Sequence, residues 1–333
     1  MKIAHIIASA GPGGMENHLI SLCNTLSGAH RVSVIAPAWF APRFAPAVDA
    51  VPFDGLLACR HNPAALIKLH RLLKTLAPDI LHAHGSKAAA MITPPFARTA
   101  CTRVATVHGI KKHTRVFRRF DHIIAVSPLV ADRLAPYPVT VIYNGIPVPE
   151  TPPPPARNTP PLALAIGRLA PVKGFGDLIA AWAHVKDARL RIAGEGPERG
   201  RLEALIAQHN LRGRVALLGH RDDIPALLGA SDLLVVSSHR EGASMAAAEA
   251  LVRNRPVVST DCGLMSGLMG RALLAPPQSP AALAGKINAA LADLPAYSAT
   301  LAPLYGLCRR EMTVEAMVEK TLDVYRRFVK EVV

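Results

Sequence analysis

Aromatic residues make up only 5% of this 333-residue chain. That is too few for the stacking platforms on which single-stranded nucleic acids bind, and no recognised nucleic-acid motif accompanies them. Cysteine is equally sparse. Its five copies, Cys23, Cys59, Cys101, Cys262 and Cys308, stand singly, are odd in number and include no C-x-x-C pair. This argues against a disulfide framework and a cysteine metal site, and for a reducing compartment. No apolar run reaches the roughly 20 residues of a membrane-spanning helix, because charges, proline or glycine interrupt each candidate. No glycine loop is followed by the Lys-Ser/Thr of a P-loop, and no G-x-S-x-G elbow marks a serine hydrolase. Internal repeats are also lacking. The expected location is cytoplasmic, with peripheral attachment to the inner face of a membrane as an option. The start, Met1-Lys2 followed by Ile3 to Ala10, imitates a leader with a small-residue cleavage site, but it is short for one and runs into a glycine loop.

What is present is a chain 50% hydrophobic, long enough to bury two cores. It is strongly basic, with 38 Lys and Arg against 24 Asp and Glu and a net charge of +14. The excess is concentrated in the first 150 residues, which hold 16 basic and 7 acidic side chains. An anionic partner follows from that balance. The densest cluster is Lys111, Lys112, His113, Arg115, Arg118 and Arg119, interleaved with Val116, Phe117 and Phe120. It reads either as the solvated face of a helix or as a patch for anionic lipid headgroups, to which each basic residue contributes on the order of 1 kcal/mol.

The first half alternates short apolar strands with helical segments, the pattern of a parallel sheet covered by helices. Strands are expected at Ile3–Ile7, Val32–Ala36, Asp79–His82, Val104–Val107 and Ile123–Val126, with helices at Glu16–Leu26 and Ala64–Leu76. Proline then dominates, at 147, 149, 152 to 155, 160 and 161, a stiff stretch that neither helix nor central strand tolerates. The alternation restarts with strands at Leu162–Ile166, Leu190–Ala193, Val215–Leu218, Leu233–Val236 and Pro256–Ser259, and helices at Asp177–Val185, Glu198–Gln208 and Ser244–Val252. Glu311–Val333 places Val314, Val318, Leu322, Tyr325, Val329 and Val332 on one stripe of an amphipathic helix. The expected division is residues 1–148, a linker at 149–161, residues 162–305, and a C-terminal helical segment at 306–333.

Several motifs bear on chemistry. A strand running into Gly11-Pro12-Gly13-Gly14 and then a helix presents free backbone N–H groups to an anion, although a plain tight turn would look the same. After the strand ending at Ile166, Gly167-Arg168-Leu169-Ala170-Pro171-Val172-Lys173-Gly174 puts two cations five residues apart on one loop. Either they are a surface pair or they grip a pyrophosphate, at roughly 1.5–3 kcal/mol per charge-assisted hydrogen bond. Gly194-Glu195-Gly196-Pro197 is compatible with an ordinary strand-to-helix turn. In Glu241-Gly242-Ala243-Ser244-Met245-Ala246-Ala247-Ala248-Glu249, two carboxylates eight residues apart flank a small-residue turn. If Ser244 caps the helix that follows, Glu241 can accept from sugar hydroxyls and Glu249 can reach a ribose. Without a ligand the same spacing describes a capping-region Glu and a solvent-facing one.

Taken in order, these segments resemble the retaining glycosyltransferases of family 4. The resemblance extends over essentially the whole chain, through Gly13-Gly14-Met15-Glu16, Asp79-Ile80-Leu81-His82-Ala83-His84, Thr106-Val107-His108-Gly109, Val141-Ile142-Tyr143-Asn144-Gly145-Ile146, Gly167-Arg168 with Lys173-Gly174, Gly194-Glu195-Gly196-Pro197, and the Glu-x7-Glu segment followed by Pro256 to Asp261. It implies an α/β chain of the GT-B fold, two Rossmann-like doubly wound domains facing each other across a cleft, the first binding the acceptor and the second the nucleoside-diphosphate sugar. Arg168 and Lys173 would hold the diphosphate, with Gly14 contacting it from the first domain. Glu241 would contact the donor sugar and Glu249 the ribose. His108 would lie near the anomeric carbon and orient sugar or acceptor. Gly13, Gly167, Glu195, Gly242, Ala243, Ser244 and Met245 complete the implied donor site. The resemblance further implies retention of configuration, no cofactor and no obligatory metal, and a C-terminal helix crossing back to the first domain. The expected acceptor is a glycan or lipid-linked saccharide, in lipopolysaccharide or cell-surface polysaccharide biosynthesis.

The chain departs from the family pattern in three respects. Ala243 replaces a larger residue, Leu264 to Gly270 replaces a glycine and acidic continuation, and the chain is short. His82 and His84, two apart on one strand, form a possible metal pair, but no third ligand of suitable spacing is evident and a metal is not expected. A nucleotide-sugar epimerase of the same fold would need its own acid and base carboxylates in place of Glu-x7-Glu. A catalytically inactive nucleotide-sugar-binding scaffold would bind donor without turnover.

Overall fold

The computed structural model describes residues 1–11, 13–93, 101–110, 113–150 and 157–329. They form two compact units, one of Met1–Gly145 with Val314–Val333 and one of Ile146–Thr313.

The first unit carries β1 (Lys2–Ile7), α1 (Gly14–Leu26), β2 (Arg31–Ala36), β3 (Asp49–Pro52), α2 (Pro63–Leu76), β4 (Ile80–His84), α3 (Gly85–Met91), β5 (Thr102–Val107), β6 (His122–Ala125), α4 (Pro128–Asp132) and β7 (Val139–Val141). Its sheet runs β3-β2-β1-β4-β5-β6-β7, and each neighbouring pair is parallel. The second unit carries β8 (Leu162–Ile166), α5 (Phe175–Trp182), β9 (Arg189–Ala193), α6 (Arg199–Gln208), β10 (Val215–Gly219), α7 (Ile224–Gly229), β11 (Leu233–Val236), α8 (Met245–Leu251), β12 (Val257–Thr260), α9 (Gly263–Leu268), β13 (Leu274–Ala275), α10 (Pro280–Ala292), α11 (Leu294–Thr300) and α12 (Ala302–Glu311). Its parallel sheet runs β10-β9-β8-β11-β12-β13. The chain then returns to the first unit as α13 (Val314–Arg326).

Both sheets are doubly wound, as expected. Strands such as Leu162–Ile166 and Leu233–Val236 are buried almost throughout, as parallel strands covered on both faces must be. The order reverses between β1 and β4 in the first unit and between β8 and β11 in the second. In such sheets the crevice outside the carboxyl ends of the strands at this reversal is where ligands bind. The fold thereby selects the segments after Ile7, His84, Ile166 and Val236.

The second unit's core centres on Trp182, packed with Leu178, Ile179, Leu190, Ile192 and Val235. Its first strand is fixed by buried Asp232, which accepts from Leu162 N at 2.8 Å and from the Asn158 side chain at 2.8 Å. The first unit's core joins Leu19, Leu22 and Leu26 of α1 to Met317, Val324 and Tyr325 of α13.

The expected continuous helix over Glu311–Val333 is corrected: α12 ends at Glu311, and Met312 and Thr313 separate it from α13. Residues 306–311 therefore belong to the second unit. The apolar stripe was placed almost correctly. Val318 and Tyr325 are buried and Val314, Leu322 and Val329 pack against the core, but Met317 and Val324, absent from that stripe, are fully buried. Val332 lies outside the described residues.

Tyr325 also anchors a polar contact, since its hydroxyl meets His82 Nδ1 at 2.5 Å inside the core. Tyr325→Phe leaves that nitrogen buried without a partner, so a loss of roughly 1–3 kcal/mol is expected in urea denaturation. An unchanged midpoint would show that the contact contributes nothing.

Candidate functional site

At the reversal of the second sheet, the chain leaves β8 through Gly167 and Arg168, makes a turn of 3-10 helix at Pro171–Lys173, and enters α5 through Gly174. Gly174 has φ +65°, and a Cβ there would sit 2.1 Å from the carbonyl oxygen of Ser237. Only glycine lets this loop lie against the end of β11. Ser237 Oγ donates to the Lys173 carbonyl at 2.9 Å, and His239 N donates to the Val172 carbonyl at 2.9 Å, closing the two loops on each other.

This packing brings together Lys173 and Glu241, 68 residues apart in sequence. Lys173 Nζ forms an ion pair with Glu241 Oε1, and Ser238 Oγ donates to the same oxygen at 2.5 Å. The Glu241 side chain is only 7% exposed, and its second oxygen, Oε2, is buried with no hydrogen-bond partner. A buried carboxylate oxygen left over in this way is an acceptor suited to a ligand hydroxyl. Behind the pair, His239 Nε2 meets Asp177 Oδ2 at 2.6 Å, and Thr260 Oγ1 donates to the Ser238 carbonyl at 2.7 Å. His239, Asp177 and Ser238 were not singled out from the sequence. The Ser-x-x-Glu spacing of Ser238 and Glu241 was the available signal.

Arg168 is exposed, and its side chain makes no ion pair among the described residues. Glu195 is exposed too and pairs with Arg199, the first residue of α6, while Arg199 reaches Glu203 at 3.0 Å. This is the geometry of a helix-surface network. Ser244 caps α8 by accepting from Ala247 N at 3.4 Å, as its sequence position suggested. Glu249 lies on α8, where burial raises its carboxyl above the usual range and nearby Arg253 works against that rise. Gly242, Ala243 and Met245 are half-buried on the same turn. The departing segment after Asp261 folds as α9, with Leu264 and Met265 buried. Gly263, at φ +55°, lies against the Glu241 backbone. Burial pushes the Cys262 thiol up to about 11, so it is a thiol at neutral pH and not a nucleophilic thiolate.

The first unit's reversal holds histidines. His5 on β1 is in register with His82 on β4, and Ile7 with His84, so the alternation of side chains puts His5, His82 and His84 on one face. The expectation that His82 and His84 lack a third ligand is therefore corrected: His5, His82 and His84 bring ring nitrogens within 4.8 Å of one another, as do His18, His84 and His108. His5 Nδ1 meets His84 Nε2 at 3.0 Å, and His84 Nδ1 meets His108 Nε2 at 3.3 Å. The His18 and His108 rings stand edge to face, 4.8 Å between centroids. Gly13 and Gly14 begin α1, on which His18 lies. His5 escaped sequence reading because its relevance depends on strand register.

Burial drives these imidazoles toward the neutral form. His5 is lowered to about 3 by desolvation and by His18, and His18 to about 4 by desolvation, a contact to Asn144 pulling the other way. His82 and His84 lie well below the usual value for the same reason. In the unfolded chain these groups bind protons below about 6.5, whereas the folded chain refuses them until about 4 or 3. Stability is thus fully present above pH ~6.5 and is lost as pH falls from there toward ~4. A melting temperature that declines steeply over that interval, less so in His18→Asn, is the expected result of a pH series.

Of the basic cluster, Arg115, Arg118 and Arg119 are exposed on a 3-10 turn. Phe117 and Phe120 point into the core, and Arg119 donates to the Thr93 carbonyl at 2.5 Å. Lys111 and Lys112 lie outside the described residues. No helix among the described residues is long and apolar enough to cross a membrane.

Two family comparisons match the chain. Residues 12–149 match the family described as Glycosyltransferase Family 4, and residues 160–293 match Glycosyl transferases group 1. Two lipopolysaccharide core biosynthesis glycosyltransferases of Rhizobium meliloti are similar in sequence. LpsE is 26% identical over 284 residues, covering 78% of this chain and 79% of its own, and LpsD is 26% identical over 276 residues, covering 78% of each. Among solved structures, Anabaena HepE in complex with UDP and glucose superposes with a TM-score of 0.82 at 22% identity, covering 98% of this chain and 100% of its own. At that identity the likeness speaks for the fold. The family matches take in both units in turn, and the chain belongs to the family 4 (group 1) glycosyltransferases, an enzyme of the GT-B fold.

Proposed function

We propose that this glycosyltransferase takes its sugar from a nucleoside-diphosphate donor bound by the second unit and transfers it with retention of configuration. The observation that carries the reading is the Lys173–Glu241 pair, in which a cation and a buried carboxylate with one unpartnered oxygen stand together where β8 and β11 end. As the bond to the sugar breaks, the leaving diphosphate gains negative charge, and Lys173 with exposed Arg168 is the group able to stabilise it. Glu241 Oε2 accepts from a donor-sugar hydroxyl and Glu249 from the ribose. Gly167, Gly242, Ala243, Ser244 and Met245 shape the donor site. Glu195 contributes through its loop, since its carboxylate is held by Arg199. His108 orients sugar or acceptor, and Gly13 and Gly14 offer backbone N–H groups to the diphosphate. The chemistry requires no cofactor.

The relatives support a saccharide acceptor of the lipopolysaccharide class, since LpsE and LpsD are named for core biosynthesis. HepE with UDP and glucose supports a nucleotide-sugar donor. Exposed Arg115 and Arg118 suit an anionic lipid surface from which such an acceptor is taken, and sedimentation with anionic but not neutral vesicles checks this. The deciding experiment offers the purified protein a panel of UDP-, GDP- and ADP-sugars with lipopolysaccharide-type acceptors and follows nucleoside-diphosphate release. Release from one donor only, abolished in Glu241→Ala, is the expected result. Donor binding without release would move the chain to the inactive scaffold reading.

A further inference from the structure

In the first unit, three imidazoles converge where β4 and β5 end and α1 packs over them: His18 from the helix, His84 at the last residue of β4, and His108 one residue after β5. Three features of this group are not explained by packing.

The first is spacing. His84 Nδ1 and His108 Nε2 are 3.3 Å apart. Two nitrogens on a tetrahedral zinc, with bonds of about 2.0–2.1 Å, lie about 3.3–3.4 Å from each other. The second is His18 itself. Its residue is 2% exposed, and neither ring nitrogen has a hydrogen-bond partner, so one buried N–H and one buried lone pair go unmatched. Rotating this ring to bring the set's ligand atoms, now within 4.8 Å of one another, onto one ion gives up only its contact to Asn144. The third is support from behind. His84 Nε2 contacts His5 Nδ1 at 3.0 Å, the arrangement by which a ligating imidazole is held in one tautomer through its other nitrogen. The neighbouring trio of His5, His82 and His84 differs, because His82 is held on both nitrogens by hydroxyls, Tyr325 at 2.5 Å and Thr106 at 2.7 Å, whereas both partners of His84 are themselves imidazoles, His5 and His108.

We propose that His18, His84 and His108 form a binding site for an imidazole-preferring divalent transition metal such as Zn2+. Hard cations such as Mg2+ and Ca2+ are disfavoured by an all-nitrogen donor set. Three protein ligands leave a fourth position for water or an anionic group. The site shares His108 with the proposed transfer site, and its test is kept separate from that reading because it measures metal uptake and not turnover.

The full chain, free of affinity tag and stripped with chelator, is titrated with Zn2+ against a chromogenic competitor and separately with Co2+. One equivalent of zinc bound, with visible Co2+ absorption of four-coordinate intensity, is expected, and His18→Ala should weaken uptake by at least ~tenfold and remove the absorption. His220→Ala is the control, since exposed His220 lies 3.3 Å from Asp222, a surface pair able to take up zinc adventitiously. It should leave the tight site unaltered. If His18→Ala does not fold, His18→Asn is read in the same way. No uptake of either ion by the wild-type chain, or uptake that survives in both His18→Asn and His108→Ala, overturns the proposal.

Discussion

Lys173→Ala is expected to lower the turnover of nucleoside-diphosphate release by at least ~100-fold, the scale on which removing one pre-positioned transition-state donor acts. The cation has a second partner, which gives the variant a second signature. Glu241 is 7% exposed and would retain only the Ser238 hydroxyl on one oxygen. Leaving a buried charged acceptor underpaired costs roughly 1–3 kcal/mol, so the melting temperature should drop along with activity. The double variant Lys173→Ala with Glu241→Ala removes both partners, and it should be more stable than the sum of the single effects predicts. Activity retained in Lys173→Arg but not in Lys173→Met separates charge from packing. Transfer at the wild-type rate in Lys173→Ala would remove the lysine from the mechanism, whatever happened to stability.

Gly194→Ala should produce the largest loss of stability from a single methyl group. Gly194 has φ +149°, a region that side chains rarely enter, and an added Cβ would lie 1.8 Å from the carbonyl oxygen of Gly167. Backbone is in the way, so no side-chain rotation relieves the clash. The loop after β9 or the loop after β8 must move, and a cost of roughly 3–5 kcal/mol follows. Since Gly167 begins the segment that carries Arg168 and Lys173, donor binding should fall together with stability. Gly200→Ala is the contrast. That glycine lies within α6 with nothing within 4 Å of an added Cβ, so the change should be neutral or stabilising by up to ~1 kcal/mol. Equal melting temperatures for the two variants, measured by differential scanning calorimetry, would contradict the assigned backbone geometry.

Much of the architecture could be read from residue pattern. Strands such as Ile3–Ile7 and Leu233–Val236 declare themselves as short apolar runs next to glycine-bearing turns, because a strand buried on both faces has no polar alternation to hide it. Among the edge strands, β10 was read but others escaped. β3, Asp-Ala-Val-Pro, and β7, Val-Thr-Val, are brief and only half-buried, so neither hydrophobicity nor length distinguishes them from loops. The break between α12 and α13 was missed because the apolar stripe, which begins at Val314, does not mark the two intervening residues Met312 and Thr313. In the candidate site, motif order pointed to Lys173 and Glu241 separately. Their ion pair was not legible, since it depends on how β8 and β11 neighbour each other in the sheet. The same holds for His5, a single polar residue in an apolar strand until register sets it beside His82. Glu195 is the opposite case: its motif suggested a ligand contact, but its carboxylate is already held by Arg199.

The return of α13 to the first unit has a consequence for biogenesis. Because translation is vectorial, the ribosome delivers every strand of the first sheet before the second unit, yet Met317, Val324 and Tyr325, which close that core, emerge only after it. The second unit, drawn from Ile146–Thr313 alone, has its full complement of residues before the first does. The nascent first half must therefore wait with the docking face of α1 uncovered and His82 lacking its tyrosine partner. The order of synthesis and the order of structural completion are inverted, and the interval between them is when the chain most needs protection by chaperones.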